Sequence, residues 1–403
     1  MKPDRIFLTF FVLLFAMLLA ACGGTPAPGT SPTVDSVATS VAATITALPP
    51  TSGTPTDTPT APETSTPSSP PFPPFAVVFV DVAHNLLAWN PSSLTYIPIA
   101  TTGDVQQAWV SPDGALVVFT RTTDYQSYNL DIIRSDGSNH HTLFSHDQFL
   151  ALPHPEGTLG TAPAQLAWIP NSHRIAMSLR AVLNGPGSVI GNDLMVIDAE
   201  DGSVSTLLSE KESWQFAFSP DGSKIAVSLP DGMDLFDSNG KPLAPSKFFG
   251  FPLVNTASDY EYTPRVTWKD DSTAFAFTIP PIAPFSDDPN GKTRAIVVDA
   301  ANATFTTPLT VTMMYLFPQE FSPDLSYIAY TQRADAATNV VDLHIAALDG
   351  SIDEVYLANH KVNQFTWSPD SQHFLFAYND GTNRVANLGS IGSMGTPIPQ
   401  ITS

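Results

Sequence analysis

The sequence predicts an all-β fold, a β-propeller built of four-stranded antiparallel blades, and three observations predict it. An apolar segment ending in an aromatic and leading into Ser-Pro-Asp-Gly, or a decayed copy of it, occurs six times. The copies are Trp109-Val110-Ser111-Pro112-Asp113-Gly114, Trp168-Ile169-Pro170-Asn171-Ser172, Phe218-Ser219-Pro220-Asp221-Gly222, Trp268-Lys269-Asp270-Asp271-Ser272, Phe321-Ser322-Pro323-Asp324 and Trp367-Ser368-Pro369-Asp370-Ser371. Their aromatics lie 59, 50, 50, 53 and 46 residues apart, the spacing of propeller blades with loop insertions and too long for helical-pair or leucine-rich repeats. From Phe75 onward the apolar residues also alternate with polar ones, the period of strands.

Residues 1–22 come first along the chain. Lys2 and Arg5 form a basic end, Ile6 to Leu19 an apolar stretch, and Leu19-Ala20-Ala21-Cys22 closes it, the pattern of a secretory signal that is removed rather than folded. The cysteine just past the cut resembles a lipobox, which implies a diacylglyceryl group on Cys22. An uncleaved transmembrane anchor is the alternative for an apolar run of this length. Both readings place the protein outside the cytoplasm and attached to a membrane. Cys22 is the only cysteine, so with its thiol lipidated no disulfide is available and stability rests on buried apolar surface.

Residues 23–74 are dominated by Thr, Pro, Ser and Ala, with no large aromatic before Phe72. Such a segment cannot bury enough surface to offset its chain entropy and reads as a tether. Val34, Val37, Val41, Ile45 and Leu48 recur at spacings of 3, 4, 4 and 3, one face of a short helix that its β-branched residues weaken. A coiled-coil oligomerisation segment is the alternative there.

Residues 75–403 form the predicted propeller. Ala76 to Asp81, Asn85 to Asn90 and Leu94 to Ile99 read as three strands without an inner one. Each later unit reads as an inner strand ending at the motif, a Ser-Pro-Asp-Gly turn, a second strand, a loop, a third strand, an Asp-Gly-type turn and a fourth strand. In the most compact unit these are Gln215 to Phe218, Lys224 to Leu229 and Met233 to Asp237, with Ser238-Asn239-Gly240 turning into the fourth. Seven blades with an incomplete first follow from this count. Six is the alternative if the terminal strands share a blade.

The motif has a physical reading that needs no chemistry. Pro presets φ, Asp or Ser accepts backbone hydrogen bonds across the turn, Gly permits the left-handed step, and the aromatic fills the gap between sheets. The recurring Trp, Phe and Asp residues are therefore assigned to structure. The second and fourth copies depart from the pattern. These repeats resemble the WD-like propeller repeats of the TolB family and of the propellers that precede some serine peptidases, over roughly residues 75 to 403. The resemblance implies a scaffold in an envelope assembly, although this chain carries a tether where that family has an amino-terminal α/β domain.

Function is less specified. The formal charge is −21, or −22 once a signal carrying Lys2, Arg5 and Asp4 is removed. With 17 Lys and Arg against 38 Asp and Glu, no basic patch is available for nucleic acid. No Gly-x-Ser-x-Gly elbow or Walker-type loop occurs. His140, His141, His146 and His154 cluster without the spacing of a helical zinc site, and Ser286, Asp288, Asn290 and Gly291 begin a calcium-like loop that has Val297 where Glu is required. No cofactor or metal is expected. The long loops lie on the face opposite the Ser-Pro-Asp-Gly turns and carry the candidate binding rim: Tyr125, Tyr128, Phe149, Phe251, Tyr260, Tyr262, Phe285, Asp287 and Asp288. The expectation is a monomeric, non-enzymatic, lipid-anchored binder of a protein, peptide or glycan. The alternatives are an enzyme acting on an extracellular glycan, with Asp287 and Asp288 or Asp259 and Glu261 as paired carboxylates, and a purely structural spacer.

Overall fold

A computed structural model of the chain describes residues 77–90, 95–124, 127–154, 156–183, 188–209, 215–257, 260–282, 291–314, 319–334, 340–379, 384–392 and 398–401. Residues 1–74 with Cys22, and Tyr125, Asp259, Phe285, Asp287 and Asp288, lie outside these. Of Tyr260 and Glu261 only the backbone is described.

Strands follow one another as antiparallel groups. The first is β1 (Val77–Val80), β2 (Leu86–Asn90) and β3 (Thr95–Ala100). The second is β4 (Val105–Val110), β5 (Leu116–Arg121), β6 (Asn129–Arg134) and β7 (His141–Phe144), followed by the short helix α1 (His146–Ala151). The third is β8 (Thr158–Trp168), β9 (Arg174–Leu183), β10 (Ser188–Asp198) and β11 (Val204–Leu208). The fourth is β12 (Gln215–Phe218), β13 (Lys224–Leu229), β14 (Gly232–Asp237) and β15 (Phe249–Gly250), with a hairpin of β16 (Asn255–Ala257) and β17 (Tyr260–Glu261) after it. The fifth is β18 (Thr267–Trp268), β19 (Ala274–Ile279), β20 (Thr293–Asp299) and β21 (Thr304–Val311).

The last seven strands form one continuous sheet: β22 (Glu320–Phe321), β23 (Tyr327–Arg333), β24 (Val341–Ala347), β25 (Asp353–Trp367), β26 (His373–Asn379), β27 (Arg384–Ser390) and β28 (Ile398–Ile401). The first half of β25 pairs with β24 and the second half with β26. It is at once the fourth strand of a sixth group and the inner strand of a seventh. The partner changes between His360 and Lys361, just after Asn359, which takes φ 58° where the pairing with β24 shifts register. No loop separates them, which is why the last repeat interval is the shortest.

The first group is a set of second, third and fourth strands, as the sequence expects. In the second, third and fourth groups the glycine of the third-to-fourth turn backs onto the outermost strand of the group before. A Cβ at Gly137 would lie 3.7 Å from the Ile99 carbonyl oxygen, one at Gly202 3.9 Å from that of Leu143, and one at Gly240 would overlap that of Leu207. Ile99 thus holds in β3 the place that Leu143 and Leu207 hold in β7 and β11. Among the described residues the buried apolar side chains collect in six cores, each shared by two successive groups, so the interior is divided into seams between sheets.

The recurring turn is built by its own side chains. The Ser219 hydroxyl donates to Asp221 Oδ1 at 2.6 Å and accepts the Lys224 N–H at 2.9 Å, while the Gly222 N–H reaches the Ser219 carbonyl at 2.8 Å. Ser111 with Asp113, Ser322 with Asp324 and Ser368 with Asp370 repeat the arrangement. In the degenerate fourth and sixth copies Ser272 and Ser371 take the left-handed place of glycine at φ 60° and 57°. Their hydroxyls accept the backbone N–H of Asp221 and Asp324 from the preceding copy, both at 3.0 Å. The departures from the pattern join one sheet to the next.

Two expectations need correction. The fourth strand of the compact unit does not follow the Ser238-Asn239-Gly240 turn. Pro242 and Pro245 supply no N–H, so a single bridge forms between Phe236 and Pro242, and ladder pairing resumes only at Phe249. Two of the long loops that the alternation of apolar residues leaves, Ser145 to Ala164 and Ala181 to Asn192, hold regular structure: α1 and β8 occupy much of the first, and β9 and β10 enter the second from its two ends.

Candidate functional site

The inner strands carry a polar residue at one repeated place, four residues before the first residue of the turn. Five of the six places are polar, Gln107 in β4, Gln165 in β8, Gln215 in β12, Gln364 in β25 and Arg265 just before β18, and the remaining one is Pro318. In the ladders Gln107 faces Thr120, Gln165 faces Ser178, Gln215 faces Ser228 and Gln364 faces Ala377. In β4, β8 and β25 the pairing register shifts directly before this glutamine. An irregularity of this kind re-aims the side chains beside it and is common next to binding sites.

Between the second and third groups this arrangement leaves a cavity of about 310 Å³ at the end away from the Ser-Pro-Asp-Gly turns. Gln106, Gln107, Thr120 and Tyr128 line one side, and Leu166 and Arg180 the other. Arg180 Nη2 donates to the Tyr128 hydroxyl at 3.0 Å, and the guanidinium sits 5.5 Å from the centre of the Tyr128 ring, a cation–π geometry that holds both side chains in place. Among the described residues no carboxylate pairs with Arg180, and no Asp or Glu lines the cavity. A half-buried guanidinium has five donors and suits a planar anion such as a carboxylate. Here one donor is committed to a phenol, in a cavity that glutamine amides and a threonine hydroxyl also line.

The predicted rim is only partly brought together. Tyr128 lines the cavity. Phe149 does not reach a surface: it is fully buried on α1, its ring 4.7 Å from that of Phe144, and the Thr161 hydroxyl bonds its carbonyl. The capping box of Ser145 and Gln148 folds the loop back and drives Phe149 inward. Phe251 is buried in the core between the fourth and fifth groups beside Phe249. Tyr262 donates its hydroxyl to the Thr278 carbonyl at 3.1 Å, and burial pushes its phenol above the ordinary value. Phe149 and Phe251 are thus core residues, not rim residues, because loops of this length bury their own aromatics.

The histidines serve separate local roles. His140 Nε2 lies 2.7 Å from Asp131, which is buried and also holds Arg121 at 2.9 Å. His141 meets the Asn139 carbonyl and His154 the Thr158 hydroxyl. Among the described residues no three His, Cys, Asp or Glu side chains are grouped to hold a metal ion.

No protein-family profile and no curated protein matches the sequence. Solved structures do. An oligogalacturonate lyase in complex with manganese has TM-score 0.54 at 12% identity, over 78% of this chain and 85% of that one. The oligogalacturonate lyase of Vibrio parahaemolyticus has TM-score 0.54 at 10% identity, over 80% and 88%. The chain is a β-propeller. TolB of Acinetobacter baumannii is also similar to it, at TM-score 0.38 and 15% identity over 78% and 76%. At these identities the likeness is one of fold, and the chemistry of this propeller has to be argued from its own side chains.

Arg180, Gln165, Gln215 and Arg265 are absent from the sequence-derived rim. The repeated glutamine was available as a signal once the copies are aligned on the turn serine. Aligned on the aromatic it is hidden, because Trp109 is followed by the extra Val110.

Proposed function

We propose that this propeller is an extracytoplasmic, lipid-anchored binding protein that takes an anionic ligand, an acidic glycan or an acidic peptide segment, at the end bearing its long loops. The observation that supports this reading is Arg180 in the cavity between the second and third groups, held by Tyr128 and left without a carboxylate among the described residues. In a chain with so few cations, an arginine fixed beside glutamine amides and a threonine hydroxyl matches a ligand that offers one negative group among hydroxyls or amides. The signal and Cys22 support the placement at a membrane surface.

A second reading is an enzyme acting on an acidic glycan. The same pair favours it: a guanidinium that can hold a uronate carboxylate, with a phenol oxygen 3.0 Å from it. The solved lyases share the fold and nothing nearer. Incubation of the full-length chain with an acidic oligosaccharide separates the two. Saturable binding with the sugar recovered intact supports the binder. Release of a shortened sugar with a new conjugated double bond supports the lyase, and neither result in any acidic ligand tried removes both.

A further inference from the structure

Where four of the inner strands place glutamine, the fifth group places Arg265, and this departure from the repeat opens onto a second cavity. It measures about 320 Å³ and is lined by Gln165, Gln215 and Arg265, with Trp168, Phe216 and Val266 as apolar wall. β8 is the partition: Ala164 and Leu166 face the cavity described above, while Gln165 and Ala167 face this one, the alternation that a strand imposes.

On one side of the cavity these side chains bond to the neighbouring sheet. Gln165 pairs with the backbone edge of β12 as a strand would, its amide donating to the Phe216 carbonyl at 2.7 Å and its oxygen accepting the Phe216 N–H at 3.1 Å. Trp268 takes the Ala217 carbonyl, and Gln215 donates to the Thr263 hydroxyl at 3.2 Å. The Phe216 N–H and the Phe216 and Ala217 carbonyls of β12 are therefore satisfied by side chains of the neighbouring sheets. Arg265 differs. One of its donors reaches Glu320 of the sixth group at 2.7 Å, and its other N–H groups have no partner among the described residues, with the side chain 75% exposed. Glu320 is only 21% exposed and is not among the residues that line the cavity.

We infer that the cavity between β8, β12 and Arg265 is a second ligand site, taking the carboxylate of a small hydroxylated organic acid on the unused donors of Arg265, with its hydroxyls toward Gln165 and Gln215. Of the two departures from glutamine at this place, Arg265 and Pro318, only Arg265 brings a charge, and a guanidinium in place of an amide at a cavity mouth alters what can bind there. The size is that of a small-ligand pocket. Glu320 tempers the site: its carboxylate already takes one Arg265 donor at 2.7 Å, so it competes with an incoming anion for the same guanidinium.

This inference does not depend on the Arg180 cavity, and the test is arranged accordingly. Full-length chain carrying Arg180→Gln is titrated calorimetrically with gluconate, and with sorbitol as the uncharged control. Gluconate binds and sorbitol does not. Adding Arg265→Gln weakens gluconate about tenfold or more, the loss expected for a charge-assisted hydrogen bond. Adding Glu320→Gln instead tightens it, because the competing anion is gone. Circular dichroism of each variant establishes that it is folded, and Arg265→Lys, which keeps the charge without the fork, retains part of the affinity. Equal gluconate binding with and without Arg265→Gln overturns the assignment. So does sorbitol binding as well as gluconate, or a Glu320→Gln chain that binds no tighter.

Discussion

The Trp268 indole N–H donates to the Ala217 carbonyl oxygen at 2.9 Å, across the seam between the fourth and fifth sheets. Trp168 does the same to the Trp109 carbonyl at 3.1 Å, and Trp367 to that of Glu320 at 3.0 Å. In these three copies the motif aromatic is therefore a clasp as well as a filler: its ring packs in the seam while its one donor ties the inner strand to its predecessor. Trp268→Phe keeps most of the ring, as the Phe218 and Phe321 copies do, and is expected to lose about 1–2 kcal/mol in urea unfolding. Trp268→Ala is expected to lose about 3–5 kcal/mol. Equal losses for the two would show that the bond across the seam contributes nothing.

The turn carboxylates predict acid sensitivity. Burial pushes the Asp221 carboxyl up, but hydrogen bonds from Ser219 and Ser223 outweigh it and hold it at about 2, against 3.8 for a free aspartate. Asp113 is likewise held at about 2, by Ser111 and His173 against its burial. A carboxyl lowered in the folded state stabilises above its unfolded value and loses that contribution as pH falls through the folded one. Thermal melting temperatures should fall between pH 3.8 and about 2, and Asp221→Asn should make that fall shallower. An unchanged slope in the variant would contradict the turn assignment.

A histidine joins the second and third sheets on the turn face. His173 Nε2 is 2.8 Å from Asp113, and its Nδ1 is 3.4 Å from Glu200. The hydrogen bond to Asp113 raises the imidazole above its ordinary 6.5, burial opposing. With a raised folded value, the contribution is complete below 6.5 and fades as pH rises through the folded value. Both partners are well exposed, so the contribution stays under about 1 kcal/mol. His173→Gln should lower the melting temperature slightly below pH 6.5 and not at all well above it. A loss of equal size at both would show that the ring acts through packing alone.

Phe149 and Tyr128 separate core from site. Phe149→Ala is expected to destabilise by about 3–5 kcal/mol and to leave the affinity of the folded fraction for ligand as it was. Tyr128→Phe keeps the ring beneath Arg180 and removes its hydroxyl partner, so stability should change by about 1 kcal/mol while ligand affinity shifts measurably. Denaturation and titration on the same preparations distinguish them, and the reverse pattern would restore Phe149 to the binding surface.

Much of the fold could be read from the sequence because a propeller repeats its instructions. Gln215 to Phe218 and Lys224 to Leu229 are strands with those bounds, since a Ser-Pro-Asp-Gly turn fixes where one ends and the other begins. The site was less legible for two physical reasons. Loop aromatics look exposed in a linear sequence, yet the Ser145 and Gln148 cap folds Phe149 into a core. Arg180 follows no motif: it matters because β9 continues past it to Leu183 and brings it over Tyr128, a contact 52 residues distant in the chain.

We propose Arg180 as the anion seat of the long-loop end. The measurement that bears on it most directly is the affinity of the full-length chain for an acidic oligosaccharide, compared with that of Arg180→Gln, both verified as folded. The structure predicts that Arg180→Gln weakens binding by about tenfold or more and that a neutral oligosaccharide of the same length binds neither chain. Wild-type affinity in Arg180→Gln, or equal binding of the neutral sugar, would contradict it.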